Sequence, residues 1–510
     1  MRILKLKNKK HTVPFLMIVI IVSKLIGMLR DIVLANYFGT SYISDAYLIA
    51  SSVPTLLFYF IGHSISTAYI PMYNKVKYDE GKESAQRFTN NLINVSFLIG
   101  TVIVIFLMVW PQVAVKLFAA GFDEKTAELA ARFIRISTLS IYVMTLVYVF
   151  NGYLQANGNF LTPAAISIPR NVVIMISIVV AAVININLLG WGLILAYVAE
   201  FLLLLPFVVR KGYRYKPIID FKDNHMKQTV YIIMPILLGM CVSQVNKIID
   251  RSIASTVIEG GISALSYASI INTAVQEVLV TGIITVLFAS CAELVSKGEF
   301  EKVKEKLQNT INNMSFILIP ATFGIIVLAE QIVKVVLNRG NFDAVSIKMT
   351  TGALMCYTVG LFFLAIRDTI VKVFYAYKDT KTTTITSISA IAVNIVLNFI
   401  LSRFWGINGL AIATSFSAVF NSITLYFALR KKIGDFGLKK TAYVILKSLI
   451  AALIMAVVVY NSASNIHNII SSELIALMVN VLLGMVVYSI VSYILKIEPM
   501  IKLISKGIGK

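Results

Sequence analysis

Charge is what this sequence has least of. Only 14% of its 510 residues are Asp, Glu, Lys or Arg, whereas 58% are hydrophobic. A soluble domain carries about 25% charged residues, so the composition belongs to the membrane class. No polar stretch is long enough to build a soluble domain. Cysteine is also scarce. Cys241, Cys291 and Cys356 lie in apolar segments, without CxxC spacing or a nearby His. That excludes a disulfide framework and a zinc site, and leaves small core residues. There is no G-x-x-x-x-G-K-[ST] motif, which excludes ATP hydrolysis by the usual phosphate loop. No loop has the length or acidic clusters of a sugar-nucleotide transferase, and no catalytic constellation is present. The chain therefore reads as neither an enzyme nor a protein with a metal or other cofactor.

What is present is a succession of apolar runs, each long enough to cross a hydrocarbon core of ~30 Å. Fourteen segments qualify: 13–36, 42–70, 90–118, 127–154, 161–184, 188–209, 229–254, 263–292, 308–337, 347–376, 382–403, 407–429, 441–461 and 472–495. The basic N-terminus before the first run could belong to a signal peptide. That run is long and carries charges, with no small-residue cleavage site before Asn36, so a retained first span is expected. Lys and Arg crowd every second connection. With the N-terminus inside, 30 of them fall on the cytoplasmic side, against about four outside: Lys125, Arg339, Lys348 and Arg403. The positive-inside rule then puts both termini in the cytoplasm. This bias also accounts for most of the net charge of +21, because basic loops favour an anionic inner leaflet. Nucleic acid is not needed as a partner; the bilayer is.

The chain repeats itself. Residues 22–35, V-S-K-L-I-G-M-L-R-D-I-V-L-A, align with 242–255, V-S-Q-V-N-K-I-I-D-R-S-I-A-S, at an offset of 220. The same offset pairs 154–164 with 374–384, and Trp191-Gly192-Leu193 pairs with Asn408-Gly409-Leu410 at 217. Six spans per repeat bring both copies into the membrane from the same side. The expected fold is an all-α polytopic membrane protein with about 14 transmembrane helices. It comprises an N-terminal six-helix lobe (1–215), a C-terminal six-helix lobe in parallel repeat (216–434), and two further helices with a basic tail (435–510). Repeats of this kind bind cargo near the bilayer midplane.

Ionisable residues inside spans are costly and usually mark a pathway. The first span holds Lys24, Arg30 and Asp31. On an ideal helix Lys24, Gly27 and Asp31 share a face, and Arg30 points about 100° away from Asp31. Asp250 and Arg251, with Lys247 one turn earlier, occupy the second copy. Asp45, His63, Arg170, Glu200, Glu277, Arg367, Asp368 and Lys372 complete the set. Basic residues exceed acidic ones in the first, seventh and tenth spans. That balance suits an anionic, partly polar cargo such as a diphosphate, which Arg grips bidentately and Lys meets as a point charge. The bland alternatives are interhelical salt bridges for Asp250–Arg251 and Arg367–Asp368, a lone carboxyl for Glu200, and a satisfied core histidine for His63. Energy would come from an ion gradient with H+ or Na+ as coupling ion, the membrane potential, or the cargo's own gradient.

The stretch S-K-L-I-G-M-L-R-D-I-V-L-A-N-Y-F-G-T-S-Y-I-S-D-A-Y (23–47) resembles the first-span signature of the MurJ (MviN) family of lipid II flippases, part of the multidrug/oligosaccharidyl-lipid/polysaccharide exporter superfamily. V-N-K-I-I-D-R-S-I-A-S (245–255), I-S-A-L-S-Y-A (262–268) and R-D-T-I-V-K-V-F-Y-A-Y-K-D-T-K-T (367–382) are similar to further family stretches. The resemblance implies alternating-access movement of an undecaprenyl-diphosphate-linked peptidoglycan precursor from the inner to the outer leaflet of the bacterial cytoplasmic membrane. It also implies a cationic cavity. Lys24 stands where the family usually has Arg; Arg30, Asp31 and Asp45 match directly. Arg367, Asp368 and Lys372 look like the pattern of some members. Departures exist: Phe58-Tyr59 replaces an Arg pair after the Pro54 motif, Ile61-Gly62-His63 replaces A-E-G, and Ile270 replaces an Arg after Tyr267-Ala268-Ser269. They leave open a different polyprenyl-diphosphate-linked saccharide, for which His63 and Arg170 would supply part of the lost charge. A cation-coupled drug exporter would instead need a predominantly acidic cavity.

Overall fold

The computed structural model describes the backbone of residues 9–507. Side chains in that range are described except at 9–14, 59–61, 63–67, 235–243, 464, 467, 468, 506 and 507. Among the described residues the chain is helical, without strands. The first repeat runs α1 (Lys9–Phe38), α2 (Tyr42–Asp79), α3 (Lys82–Val109), α4 (Pro111–Phe118), α5 (Glu124–Ser137), α6 (Ser140–Ala156), α7 (Leu161–Ala165), α8 (Ser167–Val183) and α9 (Leu188–Arg210). The second runs α10 (Asn224–Val257), α11 (Gly261–Ser296), α12 (Phe300–Leu337), α13 (Ala344–Val359), α14 (Leu361–Ala376) and α15 (Thr380–Ile433). Then come α16 (Leu438–Ile469), α17 (Glu473–Ile494) and α18 (Glu498–Gly507).

Each of the fourteen predicted segments falls on one helix, on two consecutive helices, or on half of a broken helix. Length and composition alone qualify 8 described helices as membrane spans, or up to 10 with the bent pairs α5–α6 and α13–α14. α15 is 54 residues long but breaks at Gly406 (φ 57°, ψ −135°), making two spans of one.

The repeat holds at the level of single hydrogen bonds. α5–α6 bends by 49° and α13–α14 by 43°. Asp123 caps α5 by accepting from the Thr126 amide, and Asp343 caps α13 by accepting from the Ser346 amide. After α6, the Asn159 amide donates to Leu154 O at 2.8 Å; after α14, the Asp379 amide donates to Phe374 O at 2.9 Å. Gly158 and Lys378 take the left-handed position of the two turns, the usual way a helix satisfies its last carbonyls. Asn159 then accepts from the Thr162 amide and Asp379 from the Thr382 amide, starting α7 and α15. The Lys432 ammonium, by donating a hydrogen bond to Asp379, holds that carboxyl below its ordinary range.

By packing, the chain divides into two compact units, 1–263 and 264–510. The sequence repeat changes at about 215, so α10 starts the second repeat yet belongs to the first unit. In unit 1 an aromatic cluster, Tyr69, Tyr73, Phe88, Phe150, Tyr153 and Tyr213, packs near the basic connections. Three asparagines of α3 strap the 211–223 connection to this cluster. Asn90, Asn91 and Asn94 donate to the carbonyls of Arg214, Asp220 and Ile218. In unit 2, α16 and α17 pack on α12 through Met455, Val459 and Tyr488. Elsewhere large apolar side chains point outward, including Val102 (68% exposed) and Val457 (60%). Water would penalise such a surface and lipid does not.

Two of the carbonyls freed by proline are re-satisfied, as an interior without water requires. Pro320 leaves Phe316 O without its helical donor, and the Tyr488 hydroxyl of α17 donates to it at 2.8 Å. Pro54 does the same to Ala50 O, which accepts from the Ser137 hydroxyl at 3.1 Å. Gly406 is the sharpest backbone requirement. An L side chain there adds strain of about 1–3 kcal/mol, so Gly406→Ala is expected to lower the melting temperature of the purified protein by several degrees. An unchanged melting curve would show that the break tolerates a side chain.

Candidate functional site

A cavity of about 280 Å³ lies inside unit 1, walled by α1, α2, α5, α6, α8, α9 and α10. Its α2 wall extends from Tyr47 to Leu56 and includes Ser51, Ser52 and Thr55. The hydroxyls of Ser51, Ser52 and Thr55 bond back to the carbonyls of Leu48, Leu48 and Ser51. The wall mixes these hydroxyls with apolar side chains and carries no charge among the described residues. Tyr197 on α9 shares a hydrogen bond of 3.3 Å with Thr55.

Four cations line the space: Arg30 on α1, Arg170 on α8, and Lys247 and Arg251 on α10. Among the described residues, the one carboxylate in the lining is Asp31. Arg30 donates to Asp31 through Nε at 3.0 Å and Nη2 at 2.8 and 2.9 Å, and through Nη1 to Asn171 Oδ1 at 3.2 Å. The sequence placed Arg30 and Asp31 about 100° apart on an ideal helix; the long guanidinium stem closes that gap. Arg170 pairs with Glu200 at 3.3 Å and lies over the Tyr197 ring at 5.9 Å. Glu200 is therefore a paired carboxylate, not a lone one. Lys247 and Arg251 are four residues apart and share a face of α10. Arg251 Nη1 is buried with no hydrogen-bond acceptor among the described residues. A small space with four cations, one carboxylate and an unsatisfied guanidinium nitrogen suits an anion with several oxygens. At the low end of the roughly 300–1,000 Å³ typical of ligand sites, it fits phosphates, not a whole glycopeptide.

The other sequence candidates lie elsewhere. Lys24 is exposed on α1 and is not among the residues lining the cavity. Gly27 faces Asn171, whose Nδ2 lies 3.5 Å from where a Cβ would sit. Asp45 is buried and holds backbone: it accepts from the amides of Gly260 at 2.9 Å and Ser263 at 2.8 Å, at the start of α11. Glu259 reciprocates by accepting from the Tyr42 amide at the start of α2. Asp250 is half-buried and accepts from Asn246 at 3.2 Å. The His63 side chain lies outside the described residues. In unit 2, Arg367 forms an ion pair with Asp368 at 2.6 Å, and Gln276 donates to the other oxygen of that carboxylate. Lys372 sits over the rings of Phe288 and Tyr375. Asn171 and Tyr197 were not singled out from sequence. The run P-R-N at 169–171 was the available signal for Asn171, and nothing in the linear pattern marked Tyr197.

A helical chain with at least eight apolar helices of membrane-crossing length and a cation-lined cavity within unit 1 has the make-up of a polytopic membrane transporter. Its fold is shared with an inward-facing multidrug resistance MATE family transporter of the MOP superfamily (TM-score 0.70, 14% identity, covering 82% of this chain and 96% of that one). The family model for "Lipid II flippase MurJ" matches residues 34–494, and the chain belongs to the MurJ family. It is 27% identical over 486 residues to the probable lipid II flippase MurJ of Thermotoga maritima, covering 95% of this chain and 96% of that protein. It is 28% identical over 474 residues to the lipid II flippase MurJ of Thermosipho africanus, covering 92% and 94%. A solved structure described as lipid II flippase MurJ in an inward closed conformation superposes with a TM-score of 0.80 at 27% identity, covering 94% of this chain and 98% of that one.

Proposed function

We propose that the protein is a flippase. It moves lipid II, an undecaprenyl-diphosphate-linked peptidoglycan precursor, from the inner to the outer leaflet of the bacterial cytoplasmic membrane by alternating access. The observation that carries this reading is the cation excess in the unit 1 cavity, joined to the family membership. The diphosphate would sit on Arg30, Arg170, Lys247 and Arg251, with Asp31 and Asn171 holding Arg30 in place. Lys24, two turns before Asp31 on α1, would meet the headgroup on entry. The polyprenyl tail stays in the bilayer. Both termini lie in the cytoplasm, as the basic connections favour. A coupling ion, H+ or Na+, is compatible with this scheme.

One observation favours a variant headgroup. Phe58 is fully buried against Tyr148 and does not line the cavity, so that position of the second span supplies no cation to it. A flippase for another lipid-linked polysaccharide repeat unit is the second reading. An exporter of cationic drugs is disfavoured, because four cations would repel its cargo. The deciding experiment reconstitutes the purified protein with labelled lipid II or a labelled lipid-linked capsular repeat unit. Lipid II is expected to become accessible at the opposite leaflet. Movement of the capsular unit alone would overturn the first reading.

A further inference from the structure

Glu200 is a buried carboxylate that the binding step above does not use. It is 2% exposed, and its Oε1 has no hydrogen-bond partner among the described residues. Its contact with Arg170 Nη1 at 3.3 Å is an ion pair without hydrogen-bond alignment. Two of the three cavity arginines are therefore held differently. Arg30 is fixed by three hydrogen bonds to Asp31 and one to Asn171. Arg170 is held by its ion pair with Glu200 and by a hydrogen bond and ring contact with Tyr197, with a third of its side chain exposed. Arg30 is a rigid donor; Arg170 can exchange partners.

The surroundings of Glu200 sharpen the point. α9 packs against α8, α6, α5, α2 and α7. Among the described residues, the charged group those helices direct at Glu200 is Arg170 of α8. The titratable Tyr148 of α6 and Tyr197 of α9 itself lie near the guanidinium. The side chain of His63, on α2, lies outside the described residues.

We propose that Glu200 is a built-in competitor for Arg170, an anion that takes the guanidinium back from the cargo diphosphate and so drives release. A carrier must bind tightly enough to load and weakly enough to unload, and an internal carboxylate sets that balance without any change at the cavity wall. While the diphosphate holds Arg170, Glu200 is left buried without a counter-charge, a strongly unfavourable state. That cost weakens binding. Protonating Glu200 removes it, so cargo binding takes up a proton and tightens as pH falls. This inference rests on the diphosphate reading above.

The test uses the full-length protein in nanodiscs, with undecaprenyl diphosphate as probe and undecaprenol as control. Glu200→Gln is expected to bind the diphosphate about tenfold tighter than wild type, the equivalent of one charge-assisted hydrogen bond, and to flip lipid II more slowly. Wild-type affinity should change with pH by up to about tenfold per unit, and that dependence should shrink in both Glu200→Gln and Arg170→Ala. A merely structural brace predicts the opposite for Glu200→Gln: weaker binding and a lower melting temperature. If Glu200→Gln does not fold, the pH profiles of wild type and Arg170→Ala decide; identical profiles overturn the proposal. Diphosphate binding by wild type with no gain in Glu200→Gln rejects the competitor alone. No binding above the undecaprenol control rejects the diphosphate reading and the competitor with it.

Discussion

Arg30→Ala is expected to abolish growth in a strain that depends on this protein alone, with its level in the membrane unchanged. Arg30 is a cavity cation whose orientation is set by Asp31 and Asn171. Hydrogen bonds to charged groups contribute about 1.5–3 kcal/mol each. Losing one or two to a phosphate lowers affinity by roughly ten- to several-hundred-fold or more. The substitution also leaves Asp31 without its bidentate partner. For fully buried pairs such a loss costs about 3–5 kcal/mol; the Arg30 side chain is 30% exposed, so screening reduces it here. The double variant Arg30→Ala/Asp31→Asn separates the two effects. It should recover thermal stability without recovering transport. Arg30→Lys should fall between, because it keeps the charge and loses the fork. Normal growth of Arg30→Ala, or restored transport in the double variant, would remove Arg30 from the headgroup path.

The second large effect belongs to Asp45, at the other end of unit 1 from the basic connections. Its carboxylate takes two amide hydrogens at the start of α11, and it is 1% exposed. Asp45→Ala leaves those amides unpaired, at about 3–6 kcal/mol for two charge-assisted bonds. Hydrogen exchange at Gly260 and Ser263 should then quicken by more than about a hundredfold, and transport should fall with it. The backbone there has no slack. Gly260 takes φ +76°, and a Cβ on it would lie 2.2 Å from Thr40 O. Gly121 is equally confined, 2.3 Å from the Thr256 backbone. Unaltered exchange in Asp45→Ala would mean that the carboxylate does not hold this helix start.

Part of the site was legible in the sequence. A cation in an apolar run is conspicuous, so Arg30, Arg170 and Arg251 could be named without coordinates. The pairing of those charges was not. Arg170 and Glu200 are thirty positions apart on neighbouring helices, and linear spacing says nothing about which faces meet. Lys24 shows the converse: its helical phase suggested the cavity face, yet the side chain is exposed on α1. Asp45 matched a family position but serves as a backbone clasp in this fold.

Hydropathy, loop charge and the 220-residue repeat by themselves determined the class, the helical segments and the basic sign of the buried site. These are local properties, set by how many apolar residues follow one another and how helical turns end. Packing alone decided that α10 joins the first unit, that Ser137 and Tyr488 serve the carbonyls left by Pro54 and Pro320, and that Arg30 is tied to Asp31 and Asn171 while Arg170 pairs with Glu200. Those outcomes depend on distances of about 3 Å between residues far apart in the chain, within hydrogen-bonding range, and no linear pattern encodes them.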